Sequence, residues 1–203
     1  MNEFDGIVLA GGKSKRMGTD KSEIILDGKS FLQIQTDKLI DLGAGRVYVS
    51  GKSSPIPYAH HIMDIIPDMG PLGGLYSCFL ECNCSNALVL SVDVPLISSQ
   101  TLESLLKKHF SGNFDATILS HDGKDEPLIA VYKTDTTAIL EKLIAQKKLA
   151  VRAFLDRLTC QHYEFMGDHQ ELINCNSKDD LRLLSIHNAE PHILNLISCS
   201  FKN

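Results

Sequence analysis

The sequence predicts an α/β fold, with a mainly parallel β-sheet covered by helices on both faces. Three observations predict it. Short apolar runs recur along the chain and alternate with stretches of helical length, the pattern of successive strand–helix units. The first run, residues 6–10 (GIVLA), is apolar throughout, as a strand buried on both faces must be, and it ends on Gly11-Gly12. The chain has 203 residues, 43% of them apolar, enough to form a core without disulfide staples. It reads as one domain over residues 1–203, with a tail at 187–203 that the pattern does not place.

The elements follow in order. Residues 11–22 are polar, basic and glycine-rich, which marks a loop, and residues 23–26 form a short strand. Ser30 followed by Gln33 has the form of a capping box. Phe31, Ile34 and Leu39 continue the helix to a stop at Gly43. Residues 46–50 (RVYVS) make a second core strand and 60–63 a weaker third. A helix with a glycine-rich start covers 72–84, residues 87–92 (ALVLSV) form a buried strand, and 101–110 an amphipathic helix. Strands are expected at 116–119, 128–132 and 161–165, and helices at 134–147 and 151–158. Residues 177–180 (SKDD) resemble a further capping box, opening a helix through residue 184.

Charge and composition exclude several functions. The net charge is −5, whereas a general nucleic-acid binder carries a basic excess. No apolar run approaches the ~18 residues of a membrane span, and the first residues lack a signal-peptide pattern. A cytoplasmic location is therefore expected, with no membrane and no nucleic acid as partner. Cys78, Cys82, Cys84, Cys160, Cys175 and Cys199 are then expected to be reduced thiols. The first three invite a metal reading, but no second Cys or His pair completes a zinc set, and small thiols also fill apolar gaps.

The loop at residues 9–22 (LAGGKSKRMGTDKS) carries the strongest chemical signal. It follows the first strand, at the sheet edge where open α/β folds bind ligands. Gly11 and Gly12 let backbone N–H groups approach phosphate oxygens. Lys13, Lys15, Arg16 and Lys21 crowd positive charge into an otherwise acidic chain, an island suited to a triphosphate. Five residues separate Gly12 from Gly18 and Thr19 follows, so this is not a Walker A loop, and the dinucleotide G-x-G-x-x-G is absent too.

Two further segments add acidic groups. Residues 64–75 (DIIPDMGPLGGL) place Asp64 and Asp68 before a glycine-rich helix start whose free N–H groups favour an anion. Residues 91–96 (SVDVPL) end an apolar strand on Asp93, a position suited to holding Mg²⁺ against a triphosphate. Asn174 and Asn176 offer amide donors and acceptors, or serve as turn residues before a capped helix.

The loop closely resembles the LAGG-x-S-x-RMG-x-DK signature of molybdenum cofactor guanylyltransferases, and its looser LAGG-x-x-x-RM core is shared by nucleotidyltransferases at large. Residues 91–96 are similar to the family's C-D-x-P motif, with Val92 in place of Cys. Residues 64–75 are similar to its Asp before GPLAG, and the spacing favours Asp64 over Asp68. Residues 126–132 (EPLIAVY) resemble its Q/H-P-x-x-A-V-Y strand, with Glu126 for a neutral residue. Residues 173–181 (INCNSKDDL) resemble I-N-x-N-T-P-E-D-L, with Ser177 for Thr and Lys178 for Pro. The motifs run in order over residues 6–184.

The resemblance implies a three-layer α/β/α Rossmann-like fold of the nucleotide-diphospho-sugar transferase type. It also implies transfer of GMP from GTP to the terminal phosphate of molybdopterin, with Mg²⁺ as cofactor. Leu9, Ala10, Gly11, Gly12, Lys21, Asp64 and Asp93 would bind the nucleotide. Arg16, Lys21 and Asp93 would be catalytic, with Asp93 as the metal ligand. Asp64 would assist the metal through water or contact the nucleotide instead. Gly74, Glu126, Pro127, Asn174 and Asn176 would face the acceptor, where the Glu126 carboxylate would repel a phosphate. Other cofactor-biosynthesis proteins or molybdoenzyme chaperones are conceivable partners, and the oligomeric state is not readable. The rival readings are a sister cytidylyl or sugar-phosphate nucleotidyltransferase, and a nucleotide sensor without catalysis.

Overall fold

The computed structural model describes residues 3–11, 20–51 and 55–175 of the chain. The strands and helices, in order, are β1 (Asp5–Leu9), β2 (Ile25–Leu26), β3 (Lys29–Ser30), α1 (Phe31–Asp41), β4 (Val47–Ser50), β5 (His60–Ile62), α2 (Gly70–Glu81), β6 (Asn86–Ser91), α3 (Ser99–Phe110), β7 (Ala116–His121), β8 (Lys124–Lys133), α4 (Thr137–Ala145), α5 (Val151–Leu155) and β9 (Cys160–Glu164). One sheet has the order β5-β4-β1-β6-β8-β7-β9, and β2 pairs with β3 apart from it. β1 is parallel to β4 and β6, β4 to β5, and β7 to β9, while β8 is antiparallel to both its neighbours.

Side chains alternate between two cores, as the two-residue period of a strand requires. Val8 packs with Phe31, Leu32 and Leu39 of α1 and with Leu102 and Leu105 of α3. Ile7 and Leu9 pack on the other face with Leu72, Leu75 and Phe79 of α2, Leu140 of α4 and Phe154 of α5. The result is the expected three-layer α/β/α fold on a mainly parallel mixed sheet. Among the described residues, no helix is long and apolar enough to cross a membrane.

Local signals account for most boundaries. Ser30 Oγ accepts from Gln33 N at 3.1 Å and starts α1, and Gly43, at φ +84°, ends it. The strand expected at 23–26 is shorter. A 3₁₀ turn (Lys21–Glu23) precedes β2, because Asp20 accepts from Ser22 N and folds the chain there. The helix expected at 134–147 divides into a 3₁₀ turn (Thr134–Thr136) and α4. The segment at 116–132 is one hairpin with longer strands. Its turn is Asp122-Gly123, with φ 49° and 72°, a left-handed pair that matches the strand twist. The helix expected at 177–184 lies outside the described residues.

Cys78, Cys82, Cys84, Cys160 and Cys175 are free thiols, as expected, while Cys199 lies outside the described residues. Burial pushes the Cys78 thiol up to about 12, which keeps it protonated and makes it a packing residue.

A buried histidine joins α3 to the sheet. His109 is 3% exposed, with Nδ1 2.8 Å from Thr117 Oγ1 and Nε2 3.0 Å from Asn86 Oδ1. An amide oxygen only accepts, so Nε2 carries the proton. Thr117 then donates to Nδ1 while its oxygen accepts from Gln161 Nε2 at 2.8 Å. Burial, aided by the Lys133 charge, pushes the ring down to about 4 from 6.5. The unfolded chain takes up this proton near pH 6.5, but the folded chain resists it until about pH 4. Stability from this site is therefore complete above pH 6.5 and falls as the pH drops toward 4, by up to about 1.4 kcal/mol per pH unit. Urea unfolding of His109→Gln against the wild type should show a shallower pH dependence in that window. Parallel curves would overturn the assignment.

Candidate active site

β1, β4, β5 and β6 are parallel, so their carboxyl ends share one edge, where loops with unpaired backbone groups can meet a ligand. Leu9 and Ala10 are buried there, and Gly11 is exposed as the chain leaves the sheet. Ala10 N donates to Ser50 O at 3.0 Å, and Val92 N donates to Leu9 O at 3.3 Å, locking the three strand ends together. Gly51, at φ +96°, lies backbone to backbone on Gly11, and a Cβ on it would fall 2.6 Å from Gly11 Cα. Gly12 and Arg16 lie outside the described residues.

The turn capped by Asp20 carries Lys21 across to β6. Lys21 Nζ stands 3.2 Å from Asp93 Oδ2, and Ser91 Oγ donates to Asp93 Oδ1 at 2.5 Å. α1 and the chain beyond β9 hold the backbone of this loop. Gln35, fully buried, donates from Nε2 to Ser91 O at 2.9 Å and to Val94 O at 2.8 Å. Lys38 Nζ donates to Pro95 O at 2.5 Å, and burial pushes its ammonium pKa down to about 8. Cys175 N donates to Asp93 O at 2.8 Å, which draws the exposed Asn174 to the same edge. Asn176 lies outside the described residues.

Asp64 follows β5 and accepts from Ser50 Oγ at 2.9 Å. Ser50 lies on β4 and Ser91 on β6, two strands away, so the strand positions that hold the Asp64 and Asp93 carboxylates are roughly 10 Å apart. Asp68 is exposed at φ 64° in the turn before α2. Gly74 is buried, and a Cβ there would come within 2.3 Å of Ser50 Oγ and 3.1 Å of Leu9 Cδ2. Its bare backbone lets α2 close on the ends of β1 and β4.

Glu126 and Pro127 lie on the β6 side of the hairpin. The β7–β8 register jumps there, from Ile118 opposite Ala130 to Leu119 opposite Glu126. Pro127 has no N–H to give the ladder, and Tyr132 Oη donates to its carbonyl at 2.7 Å. The bulge turns Glu126 toward His121, whose Nε2 is 3.4 Å from Glu126 Oε1.

The sequence reading did not pick out Gln35, Lys38, Ser50 or Ser91. Gln35 did leave a signal, a polar residue between Phe31 and Leu39 on the apolar stripe of α1. The other three became visible only through their partners.

The sequence pattern of the MobA-like NTP transferase domain matches residues 6–163. The chain belongs to that family. It is 30% identical over 190 residues to the probable molybdenum cofactor guanylyltransferase of Flavobacterium johnsoniae, covering 92% of this chain and 99% of that one. It is 31% identical over 193 residues to the molybdenum cofactor guanylyltransferase of Xanthomonas euvesicatoria pv. vesicatoria, covering 92% and 97%. Among solved structures it resembles molybdopterin-guanine dinucleotide biosynthesis protein A from Archaeoglobus fulgidus. The TM-score is 0.75 at 26% identity, over 88% of this chain and 95% of that one. The family match spans β1 through most of β9, so the edge bearing Lys21, Asp64 and Asp93 lies inside the matched region.

Proposed function

We propose that the chain transfers GMP from GTP to the terminal phosphate of molybdopterin, releasing pyrophosphate and forming molybdopterin guanine dinucleotide. The observation that carries a nucleotidyl transfer site is the Lys21–Asp93 pair, 3.2 Å apart across 72 residues at the carboxyl edge. The choice of guanine rests on the relatives named guanylyltransferase.

An anionic oxygen of the acceptor phosphate bonds to the α-phosphorus of GTP. The bond from that phosphorus to the β-bridging oxygen breaks, and pyrophosphate leaves with its electron pair. The acceptor phosphate is largely ionised near neutral pH, with a second pKa of about 6, so no general base is needed. The protein aligns the reactants and stabilises departing charge. Backbone groups of Leu9, Ala10, Gly11 and Gly12 cradle the nucleotide, Arg16 and Lys21 neutralise its phosphates, and Asp64 contacts it near β4. Glu126, Pro127, Asn174 and Asn176 line the acceptor side, with Gly74 shaping the floor.

Asp93 fits a hard divalent cation. Its carboxylate is held in place by Ser91, and the Lys21 ammonium already stands at its Oδ2 as a cation would. Mg²⁺ bound there would offset negative charge on the triphosphate.

Pyrophosphate release, measured with GTP, CTP, ATP and UTP in the presence of molybdopterin and Mg²⁺, tests the reading. GTP should be preferred and turnover should require the acceptor. A clear CTP preference would overturn the guanylyl assignment, and release of no pyrophosphate with any nucleotide would overturn the reaction class.

A further inference from the structure

We propose that His121, Asp122 and His169 form a binding site for a divalent transition-metal ion of the zinc class, separate from Lys21 and Asp93. Each residue offers a ligand atom within 4.8 Å of the others, the single such group of three among the described residues. The site lies at the carboxyl end of β7, two strands from β6 and so roughly 10 Å away along the edge.

The backbone explains the convergence. Neighbouring side chains on a strand point to opposite faces. Asp122 breaks that alternation because its φ of 49° belongs to the hairpin turn, which brings its carboxylate to the side of His121. Asp122 Oδ2 is 3.7 Å from His121 Nδ1 and 3.9 Å from His169 Nδ1. Ligands at ordinary zinc distances around a tetrahedron are about 3.3 Å apart, so closing on an ion needs shifts of about half an ångström to about 1.5 Å. His169 sits in the 3₁₀ turn (His169–Leu172) beyond β9, and its side chain is 70% exposed, so it can make such a shift without disturbing the core.

A second observation points to a ligand. His121 Nδ1 is buried and has no hydrogen-bond partner, an arrangement that folded proteins avoid. Its other nitrogen faces Glu126 Oε1 at 3.4 Å. Histidines that bind metals commonly present the distal N–H to a carboxylate, which fixes the tautomer and leaves the other lone pair for the ion. Glu126 stands on the distal side of His121, where an Nε2–H···Oε1 hydrogen bond formed on metal binding would leave Nδ1 to coordinate.

The donor set decides the class of ion. Two imidazoles and one carboxylate suit Zn²⁺ and its borderline neighbours, whereas Mg²⁺ prefers oxygen throughout. Three protein ligands leave one tetrahedral position for water or an anionic ligand atom. A bound ion would tie the β7–β8 hairpin to the segment beyond β9 and fix Glu126, next to Pro127 on β8.

The test is calorimetric titration of the metal-stripped full chain with ZnCl₂ in excess Mg²⁺, with Co²⁺ spectra as a second readout. One equivalent of Zn²⁺ should bind, and Co²⁺ should give ligand-field bands without thiolate charge transfer. His169→Ala, whose melting temperature checks the fold, should weaken Zn²⁺ binding at least tenfold. Glu126→Gln should weaken it about tenfold, as loss of an orienting partner does, and Cys82→Ser with Cys84→Ser should leave it unchanged. Equal affinity in His169→Ala and wild type, loss of binding only on cysteine substitution, or displacement of Zn²⁺ by Mg²⁺ would each overturn the proposal.

Discussion

Asp93→Asn is expected to lose nearly all nucleotidyl transfer while the fold survives. Asn keeps the size of the side chain and the acceptor for Ser91 Oγ, which now sits 2.5 Å from Oδ1. The backbone of the loop is held independently by Gln35, Lys38 and Cys175, so the substitution leaves the scaffold of the site in place. What disappears is the negative charge that a hard divalent ion prefers. A metal stabilises the transition state of such a transfer by several kcal/mol, and each 1.4 kcal/mol is about tenfold in rate, so kcat should fall about 100-fold or more. The partly exposed pair with Lys21 contributes about 1 kcal/mol or less to stability, so the melting temperature should move by no more than about 2–4 °C. Asp64→Asn should be milder, because Asp64 sits beside Ser50 on the far side of the edge. Both variants are to be compared across a Mg²⁺ titration. Normal turnover of Asp93→Asn at low Mg²⁺ would place the metal elsewhere.

Lys21→Ala should cut kcat/KM by at least tenfold. Charge-assisted hydrogen bonds contribute about 1.5–3 kcal/mol, which corresponds to about tenfold to 100-fold. Lys21 stands in a polar turn fixed by Asp20, which caps through its own carboxylate and does not need the lysine side chain. The fold should therefore persist. Because Lys21 neutralises Asp93 Oδ2 in the structure, its removal should leave metal binding as tight as before or tighter. Metal affinity and turnover would then move in opposite directions, which separates a phosphate contact from a merely structural ion pair. An unchanged kcat/KM would show that this turn does not face the triphosphate.

Much of the fold was legible because strands and helices leave local periods. The runs at residues 6–10, 46–50 and 87–92 became β1, β4 and β6, since strands buried on both faces are largely apolar. Ser30 and Gly43 bounded α1 because caps act within a few residues of themselves. The Asp122-Gly123 turn is equally local, and its dipeptide is a strong hairpin signal.

The sequence alone determined the layered α/β class and the order of its motifs. It also pointed to one sheet edge for Gly11, Lys21 and Asp93, because residues leaving parallel strands gather at their carboxyl ends. Only the tertiary structure decided which of these groups meet. Lys21 reaches Asp93 across 72 residues. Ser50 holds Asp64, and Gln35 clamps the Asp93 loop from a helix 56 residues earlier. Glu126 acquires His121 through the bulge at Pro127, and β8 runs against its neighbours. Such contacts depend on strand order and register, which are set by the packing of the whole sheet between its two helical layers, and no local period encodes them.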